Sequence, residues 1–388
     1  MDQTTLLHLD LPRTTPVYGE FEIRGWAASQ APLRRVFVEQ PGDRIEFAFY
    51  ERPDVRAAYP SHPHATGFSG SLTGNFIREH RVAFSVETDA GITVHEVELA
   101  PPFLPPAAPP PDFPVTPELK ARKLARVAHR MACTRCKHAM PTGREVCPHC
   151  GAQFRITPAL LDFFTPEQRA TIPAVDATPA SRGGVDEVMH AIIARHSDGL
   201  ILDCGAGLKD RVYPNVLNLE IMDYPCTDVR AFNESLPFQD GTFDAVFTLA
   251  VLEHVRDPFA AGREIMRVLK PGGMLYSMVP LMVPFHGYPN HFYNMTVEGH
   301  KNLYGTALDL LDASVPVSGR PIWGLHGLLT NWLNGLPAAH REEFLDLRVR
   351  DVLATSPLEQ LKRNYVRLVT PEANMEVAAM TRLIGRKR

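Results

Sequence analysis

Nine prolines fall between Pro101 and Pro117, in the stretch PPFLPPAAPPPDFPVTP. Proline fixes φ, lacks a backbone N–H and pushes its predecessor toward extended geometry. No helix and no central strand can run through such a segment. It reads as a semi-rigid, polyproline-like spacer over residues 101–117 and marks a domain boundary. The other use of such a run is as a ligand for a partner domain. The 388 residues suggest on the order of two to three domains. With 45% hydrophobic and 22% charged residues, each part can bury a core. A net charge of −4 excludes a chain whose main business is coating nucleic acid or anionic membrane.

No run of about 18 apolar residues occurs, so no membrane span is expected. MDQTTLLHLDLPRTT has no basic region followed by an apolar stretch, so no secretory signal is expected either. Six cysteines in such a chain point to the reducing cytoplasm and to metal rather than disulfides.

Before the spacer the pattern is β. FEIRGWAA (Phe21–Ala28), RVFVEQ (Arg35–Gln40) and RIEFAFY (Arg44–Tyr50) are short, aromatic and β-branched, with Gly and Pro between them. Val82, Phe84 and Val86 alternate with polar residues, and Asp89-Ala90-Gly91 turns the chain into Ile92–Leu99. The expectation for residues 1–100 is a β-sandwich. GWAAS at Gly25–Ser29, RPDVRAAYP at Arg52–Pro60 and GFSG at Gly67–Gly70 resemble a small immunoglobulin-like module found ahead of bacterial glycosyltransferases and methyltransferases of surface-glycan pathways. That resemblance implies a saccharide-related context. Arg52, Asp54 and Tyr59 equally fit a loop pinned to the sandwich.

After the spacer, ELKARKLARVAHRM (Glu118–Met131) is helical and strongly basic. It is either a grip for an anionic ligand or a solvated face. CTRC at Cys133–Cys136 and CPHC at Cys147–Cys150 follow. Each CxxC sets two thiolates on a tight knuckle, and two knuckles supply the four soft ligands of a tetrahedral Zn²⁺. Cys133, Cys136, Cys147 and Cys150 therefore predict a closed, structural zinc ribbon within residues 118–155. His138 and His149 are substitute ligands, and a redox CxxC is the lesser alternative.

From Gly184 onward strands alternate with helices. Leu200–Leu202 runs into Asp203-Cys204-Gly205-Ala206-Gly207, and NVLNL (Asn215–Leu219) ends at Glu220. DAVF (Asp244–Phe247) and MLYSMV (Met274–Val279) are further strands, with a helix over Ala260–Leu269. This predicts an α/β, doubly wound parallel sheet with its ligand at the carboxyl ends of the strands. Gly205 and Gly207 let backbone N–H groups approach that ligand, but the third glycine of a dinucleotide fingerprint is missing. Glu220 can accept hydrogen bonds from both ribose hydroxyls of a nucleoside. The pattern favours an adenosine-type ligand over a dinucleotide.

LILDCGAG, NLEI, ESLPFQDGTFDAVFTLAVLEHVRDP and EIMRVLKPGGMLY are similar to the class I S-adenosylmethionine (SAM) methyltransferase family, in its UbiE-like, type 11 branch. The resemblance implies a Rossmann-like methyltransferase domain over residues 180–388, capped by a C-terminal helical lid. It implies that Asp203, Cys204, Gly205, Ala206 and Gly207 frame the methionine end of SAM. Glu220 and Ile221 then serve the ribose side. Phe232 stands where the family has an acid that touches the adenine amine, so Asn233 takes over that hydrogen bond and Phe232 stacks on the ring. The helix after Gly207 is expected to be short and interrupted by Pro214.

VPLMVPFHGYPNHFYNMT (Val279–Thr296) resembles a subgroup of bacterial methyltransferases associated with glycans. There the segment lies over the mouth of the site, which brings His286, Asn290, His291 and Tyr293 beside the transferable methyl. His286 and His291 are the candidate general bases, with Glu253-His254 of LEHV as the runner-up. His254 equally fits a helix-start residue bonded to backbone, and the other two fit loop-shaping packing among prolines and aromatics. The resulting expectation is methyl transfer from SAM to a hydroxyl of a saccharide or glycan precursor. The rivals are an RNA or protein methyltransferase that recognises substrate through the ribbon, and a non-catalytic scaffold. The acidic net charge weighs against nucleic acid, and nothing here specifies an oligomeric state.

Overall fold

A computed structural model describes residues 5–11, 20–73, 80–99, 108–172, 182, 184–287 and 290–379. The chain divides into two units, Met1–Pro110 with Val185–Arg195, and Pro111–Gly184 with His196–Arg388. VDEVMHAIIA (Val185–Ala194) has helical spacing, and the helix is present as Glu187–Arg195, within the first unit. Among the described residues no helix is long and apolar enough to cross a membrane.

The first unit contains β1 (Thr5–Leu11), β2 (Glu20–Ser29), β3 (Leu33–Gln40), β4 (Asp43–Glu46), β5 (Ala48–Tyr50), β6 (His64–Thr73), β7 (Arg81–Thr88) and β8 (Gly91–Glu98). They form two four-stranded antiparallel sheets, ordered β1-β2-β6-β5 and β4-β3-β7-β8. Ile23, Val36, Val38, Phe47, Phe68 and Phe84 belong to one core. The alternation in β7 buries Val82, Phe84 and Val86, as a half-buried strand requires.

One strand differs from expectation. Arg44–Tyr50 is not continuous: it breaks at Phe47, and its halves β4 and β5 join different sheets. Phe47 donates its N–H to the Val36 carbonyl at 2.9 Å, and its ring packs on Phe68 and Phe84. Arg52, Asp54 and Tyr59 hold a six-residue helix, Pro53–Ala58, to its sheet. Arg52 bonds Asp54 and Asp10, and Tyr59 packs on Trp26 at 5.1 Å.

The second unit is organised on a seven-stranded sheet. Its strands are β10 (Arg155–Thr157), β11 (Leu160–Asp162), β12 (Ile201–Cys204), β14 (Val216–Glu220), β15 (Val229–Arg230), β16 (Phe243–Leu249) and β17 (Leu269–Met278), in the order β10-β11-β15-β14-β12-β16-β17. From β11 to β17 every pairing is parallel. Lys270-Pro271-Gly272-Gly273, which reads as a turn closing the preceding helix, lies within β17 as an irregularity, since Phe243 pairs with Leu269 and Ala245 with Met274. β10 and β11 come from just after the second CxxC. The cysteine module thus extends this sheet, and Val127, Met131, Cys133 and Phe163 share one core with Leu202, Leu217 and Val229.

The helix expected after Gly207 is absent. Gly205–Asn215 carries only a two-residue strand, β13 (Arg211–Val212), paired with β9 (Phe113–Pro114). The end of the expected spacer is therefore an edge strand, a place where proline is tolerated. Residues 101–107 of the spacer lie outside the described residues.

A parallel sheet needs cover on both faces. Over β14 the basic helix, Pro117–Val127, supplies it. Its outer side, with Glu118, Arg122 and Arg126, is exposed as a solvated face would be, while its inner side docks on the sheet. Arg126 donates to the carbonyls of Asp198 and Pro214, Lys120 donates to Pro225, and Lys123 forms a fully buried ion pair with Asp228. Leu119 packs with Val212, Met222 and Tyr224. Further helices, Pro321–Asn334, Arg341–Leu345, Val349–Ala354 and Pro357–Gln360, fill the expected lid region. The last residues, AAMTRLIGRKR, read from sequence as a segment able to complete the sheet, and over 380–388 they lie outside the described residues.

Lys123→Met strands the Asp228 carboxylate in the core. It is expected to lower unfolding stability by about 3–5 kcal/mol, and the Lys123→Met/Asp228→Asn pair to recover most of that. Urea unfolding of both variants measures it; a single variant as stable as the parent removes the anchoring role given to this pair.

Candidate functional site

The carboxyl ends of β12, β14 and β16 converge on one corner of the second unit. β12 ends in the Gly205–Gly207 loop, where Gly205 has φ +70° and Gly207 φ +67°. A Cβ on Gly205 would also lie 2.5 Å from Cγ2 of Val251, so no other residue fits. The loop closes on Glu220, whose carboxylate accepts the N–H of Gly207 at 2.9 Å and of Ile221 at 2.7 Å. Burial raises the Glu220 pKa and these N–H bonds oppose it. Asp203 is buried and ion-paired with Lys209 from the same loop.

The other expected cofactor residues are arranged unevenly. The Cys204 side chain is wholly in the core, and Ala206 is buried with its N–H donated to the Leu219 carbonyl. Phe232 packs on Phe164 at 4.7 Å, a ring delivered by the strands after the cysteine module. Asn233 is buried, and its Oδ1 has no partner.

β16 leads into Ala250, a non-glycine residue at φ +53°, and then the turn Leu252–His254. Backbone strain of this kind gathers at functional sites. The turn meets the loop of the expected catalytic histidines: Phe292 and Tyr293 donate their N–H groups to the Glu253 carbonyl. The three imidazoles lie together, with ring centroids 4.4 Å apart for His286 and His291 and 5.1 Å for His254 and His286.

Their roles differ. His291 accepts the His286 N–H at Nδ1 and contacts the Tyr293 carbonyl and Asn294 Oδ1 at Nε2, so both its nitrogens shape the loop. Nδ1 of His254 lies 2.7 Å from the Asn290 carbonyl, and Nδ1 of His286 lies 2.9 Å from that of Pro284. A carbonyl only accepts, so these Nδ1 atoms carry the protons and Nε2 of each ring keeps a lone pair. Burial lowers the pKa of His254 most, followed by the opposing bond to Asn290. The C-terminal helices brace the same loop: Phe285 donates to the Glu376 carbonyl and Asn331 to its carboxylate.

The cysteines form a second centre. All four sulfurs lie within 4.8 Å of one another, with Cys133–Cys150 and Cys136–Cys147 both at 3.6 Å. A tetrahedron with Zn–S of about 2.3 Å has edges of about 3.8 Å, which this set fits. The knuckles are alike: Lys137 donates to the Cys133 carbonyl and Gly151 to that of Cys147, both at positive φ. His138 and His149 stack on each other at 3.5 Å. Lys137 then reaches Glu264 of the helix Pro258–Val268 at 2.6 Å.

Sequence reasoning missed Lys209, the complete burial of Glu253, and a network in which Ser277 meets His300 and Tyr304, each at 2.7 Å. For Glu253 the only signal was its place between Leu252 and His254.

Residues 209–277 match the family described as a methyltransferase domain. An uncharacterized methyltransferase of Mycobacterium sp. strain KMS is 44% identical over 61 residues, 16% of this chain and 24% of that protein. An uncharacterized 37.1 kDa protein in transposon Tn4556 of Streptomyces fradiae is 27% identical over 179 residues, 40% of this chain and 52% of that one. Among solved structures, the YcgJ protein of Bacillus subtilis is similar at 18% identity and a TM-score of 0.25, covering 42% of this chain and 80% of that chain. The chain spans about a quarter to a half of the length of these curated relatives. The residues matched, 209–277, all lie in the second unit.

Glu264 ties the cysteine module to this domain, accepting from Lys137, Arg267 and the Leu236 N–H. Burial raises its pKa, but the bonds from Arg267 and Lys137 prevail and hold it below the ordinary value. A depressed carboxylate contributes stability above its unfolded pKa and loses it as pH falls through the folded one. Glu264→Gln should therefore cost about 1–3 kcal/mol at pH 7, with the gap closing below about pH 4. Denaturant midpoints across pH test this, and a gap that persists at low pH contradicts it.

Proposed function

We propose that the second unit transfers a methyl group from SAM to a hydroxyl of a saccharide or surface-glycan precursor. In this reading the cysteine module is a structural zinc ribbon and the first unit an immunoglobulin-like accessory module. One observation carries the reading: the Gly205–Gly207 loop closes on the Glu220 carboxylate at the strand ends, and Gly205 abuts Val251, which leads into the turn of Glu253 and His254. The buried Asn233 Oδ1, an acceptor lacking a donor, supports an adenine amine at that end.

SAM supplies a methyl already activated by its sulfonium. The chain must bind, align and deprotonate. Asp203 and the backbone of Cys204–Gly207 hold the methionine end. Glu220 keeps lone pairs for the ribose hydroxyls. Ile221, Phe232 and Asn233 line the adenine. His286 Nε2 takes the proton of the attacking hydroxyl, His254 Nε2 stands beside it, and His291 positions both.

The saccharide assignment rests on the resemblances carried by Val279–Thr296 and by the first unit. The docking of Lys120, Lys123 and Arg126 against the sheet weighs against a nucleic-acid acceptor. Isothermal calorimetry should show SAM binding that Glu220→Ala weakens by about 10–100-fold, as expected for lost bonds to a charged group. Labelled SAM should pass its methyl to nucleotide sugars or glycans, and His286→Ala should lower that rate. Binding indifferent to Glu220→Ala, or label passing only to tRNA or protein, rejects the reading.

Metal analysis of the purified chain should return about one Zn per chain, lost in Cys136→Ser. Because Cys133 and Cys147 lie in the sheet's own core, that loss should lower the melting temperature of the whole second unit. A zinc-free chain with unchanged melting argues against the ribbon.

A further inference from the structure

We propose that Glu253, His254 and His286 form a second metal site, for a divalent first-row cation, at the mouth of the sheet's carboxyl end. One nitrogen of each histidine and one carboxylate oxygen of Glu253 lie within 4.8 Å of one another. Nε2 of His254 is 3.8 Å from Oε1 of Glu253.

Three observations support a cation there. First, Glu253 is completely buried, and neither carboxylate oxygen has a hydrogen-bond partner. A buried carboxylate of this kind is costly unless a proton or a cation meets it. Second, both histidines are already oriented as ligands. Each gives its Nδ1 proton to a backbone carbonyl, which leaves Nε2 bare and fixes the ring. That outer bond is the usual mark of a metal-ligating imidazole. Third, the turn and the loop are joined through backbone, by the Phe292 and Tyr293 bonds to the Glu253 carbonyl, so the ligands are held from two directions.

Two neutral imidazoles and one carboxylate suit Mn²⁺, Fe²⁺ or Zn²⁺ and leave coordination positions open. The His254 side chain is 22% exposed, so the mouth is reachable. An oxygen of an acceptor bound to the cation would have its pKa lowered. With the site loaded, His286 ligates; with the site empty, its Nε2 is free for a proton. The site does not depend on methyl transfer, because its three ligands are in place without SAM.

The test uses the full chain with its cysteine centre loaded with zinc, titrated with Mn²⁺ and followed by electron paramagnetic resonance of the free ion. Thiolates select zinc over manganese, so the cysteines do not compete for the probe. The expected result is one Mn²⁺ per chain. Loss of an outer-shell partner costs about 10–100-fold in affinity, so Glu253→Gln and His286→Ala should each cost about 100-fold or more. His340→Ala, in the C-terminal helical region, should change nothing. Glu253→Gln removes a buried charge at constant size and so should keep the fold, which circular dichroism and zinc content verify. No uptake by the parent chain, or parental affinity in folded Glu253→Gln, overturns the proposal. A chain that takes up Mn²⁺ yet ignores SAM overturns the proposed function instead, and leaves this site standing.

Discussion

A parallel sheet must be covered on both faces, and in this chain the connection from β12 to β14 contains no helix to do it. The rest of the second unit follows from that gap. The cover comes from upstream, as the helix Pro117–Val127, which is polar on most of its surface. Apolar contacts from Leu124 and Val127 are therefore joined by specific polar ones. Lys123 enters the core to meet Asp228, and Arg126 satisfies carbonyls before β12 and before β14. A buried ion pair adds little net stability against an apolar pair, yet it tolerates one partner only. It thus sets where along the sheet the helix sits, and with it where the cysteine module begins.

That placement gives the four-cysteine segment a second role. A fragment this short cannot bury a core of its own. Here it lends Met131, Cys133, Met140, Cys147 and Phe154 to the core of the sheet and then adds β11 and β10 beyond β15. Asp162, at the end of β11, bonds Arg230 of β15 and Arg169. Phe164 follows and packs on Phe232. Geometry at the thiolates is transmitted through two strands to the edge of the loop corner. The module and the candidate site are one packed body rather than a domain and its appendage.

The parallel strands were legible from sequence because fully buried strands are short apolar runs: LILDC, NVLNL and DAVF lie within or beside β12, β14 and β16. The alternation of β7 and the CxxC pair were equally legible, since each depends on neighbours in sequence. What stayed hidden depends on distant partners. Phe47 divides a uniform β pattern because its ring is claimed by Phe68 and Phe84. The cations of Pro117–Val127 look solvated until Asp228 and the carbonyl of Asp198 are brought to them. His254, His286 and His291 are equivalent in a string of letters. Only the carbonyls of Pro284, Asn290 and Tyr293 separate the two bare rings from the occupied one.

The polar groups of the site fall into two sets, and the division bears on what any ligand can gain there. Asp203 already has Lys209, and Glu220 already has the N–H groups of Gly207 and Ile221. A ligand that meets these adds bonds at groups already held in place, so they supply affinity with no burial cost left to relieve. Asn233 Oδ1 and the two oxygens of Glu253 are buried with no partner. There the cost of burial has been incurred without return, so a matching donor or cation recovers the whole of it. Selectivity should therefore reside at the ends of the site, around Asn233 and around Glu253, while its middle supplies shape. This is also where the chain departs most from a regular fold: Ala250 at positive φ aims the Glu253 turn, and the strands after the cysteines deliver the ring against Phe232. The irregular features and the unsatisfied groups coincide, which is the pattern of a structure that spends stability on a site.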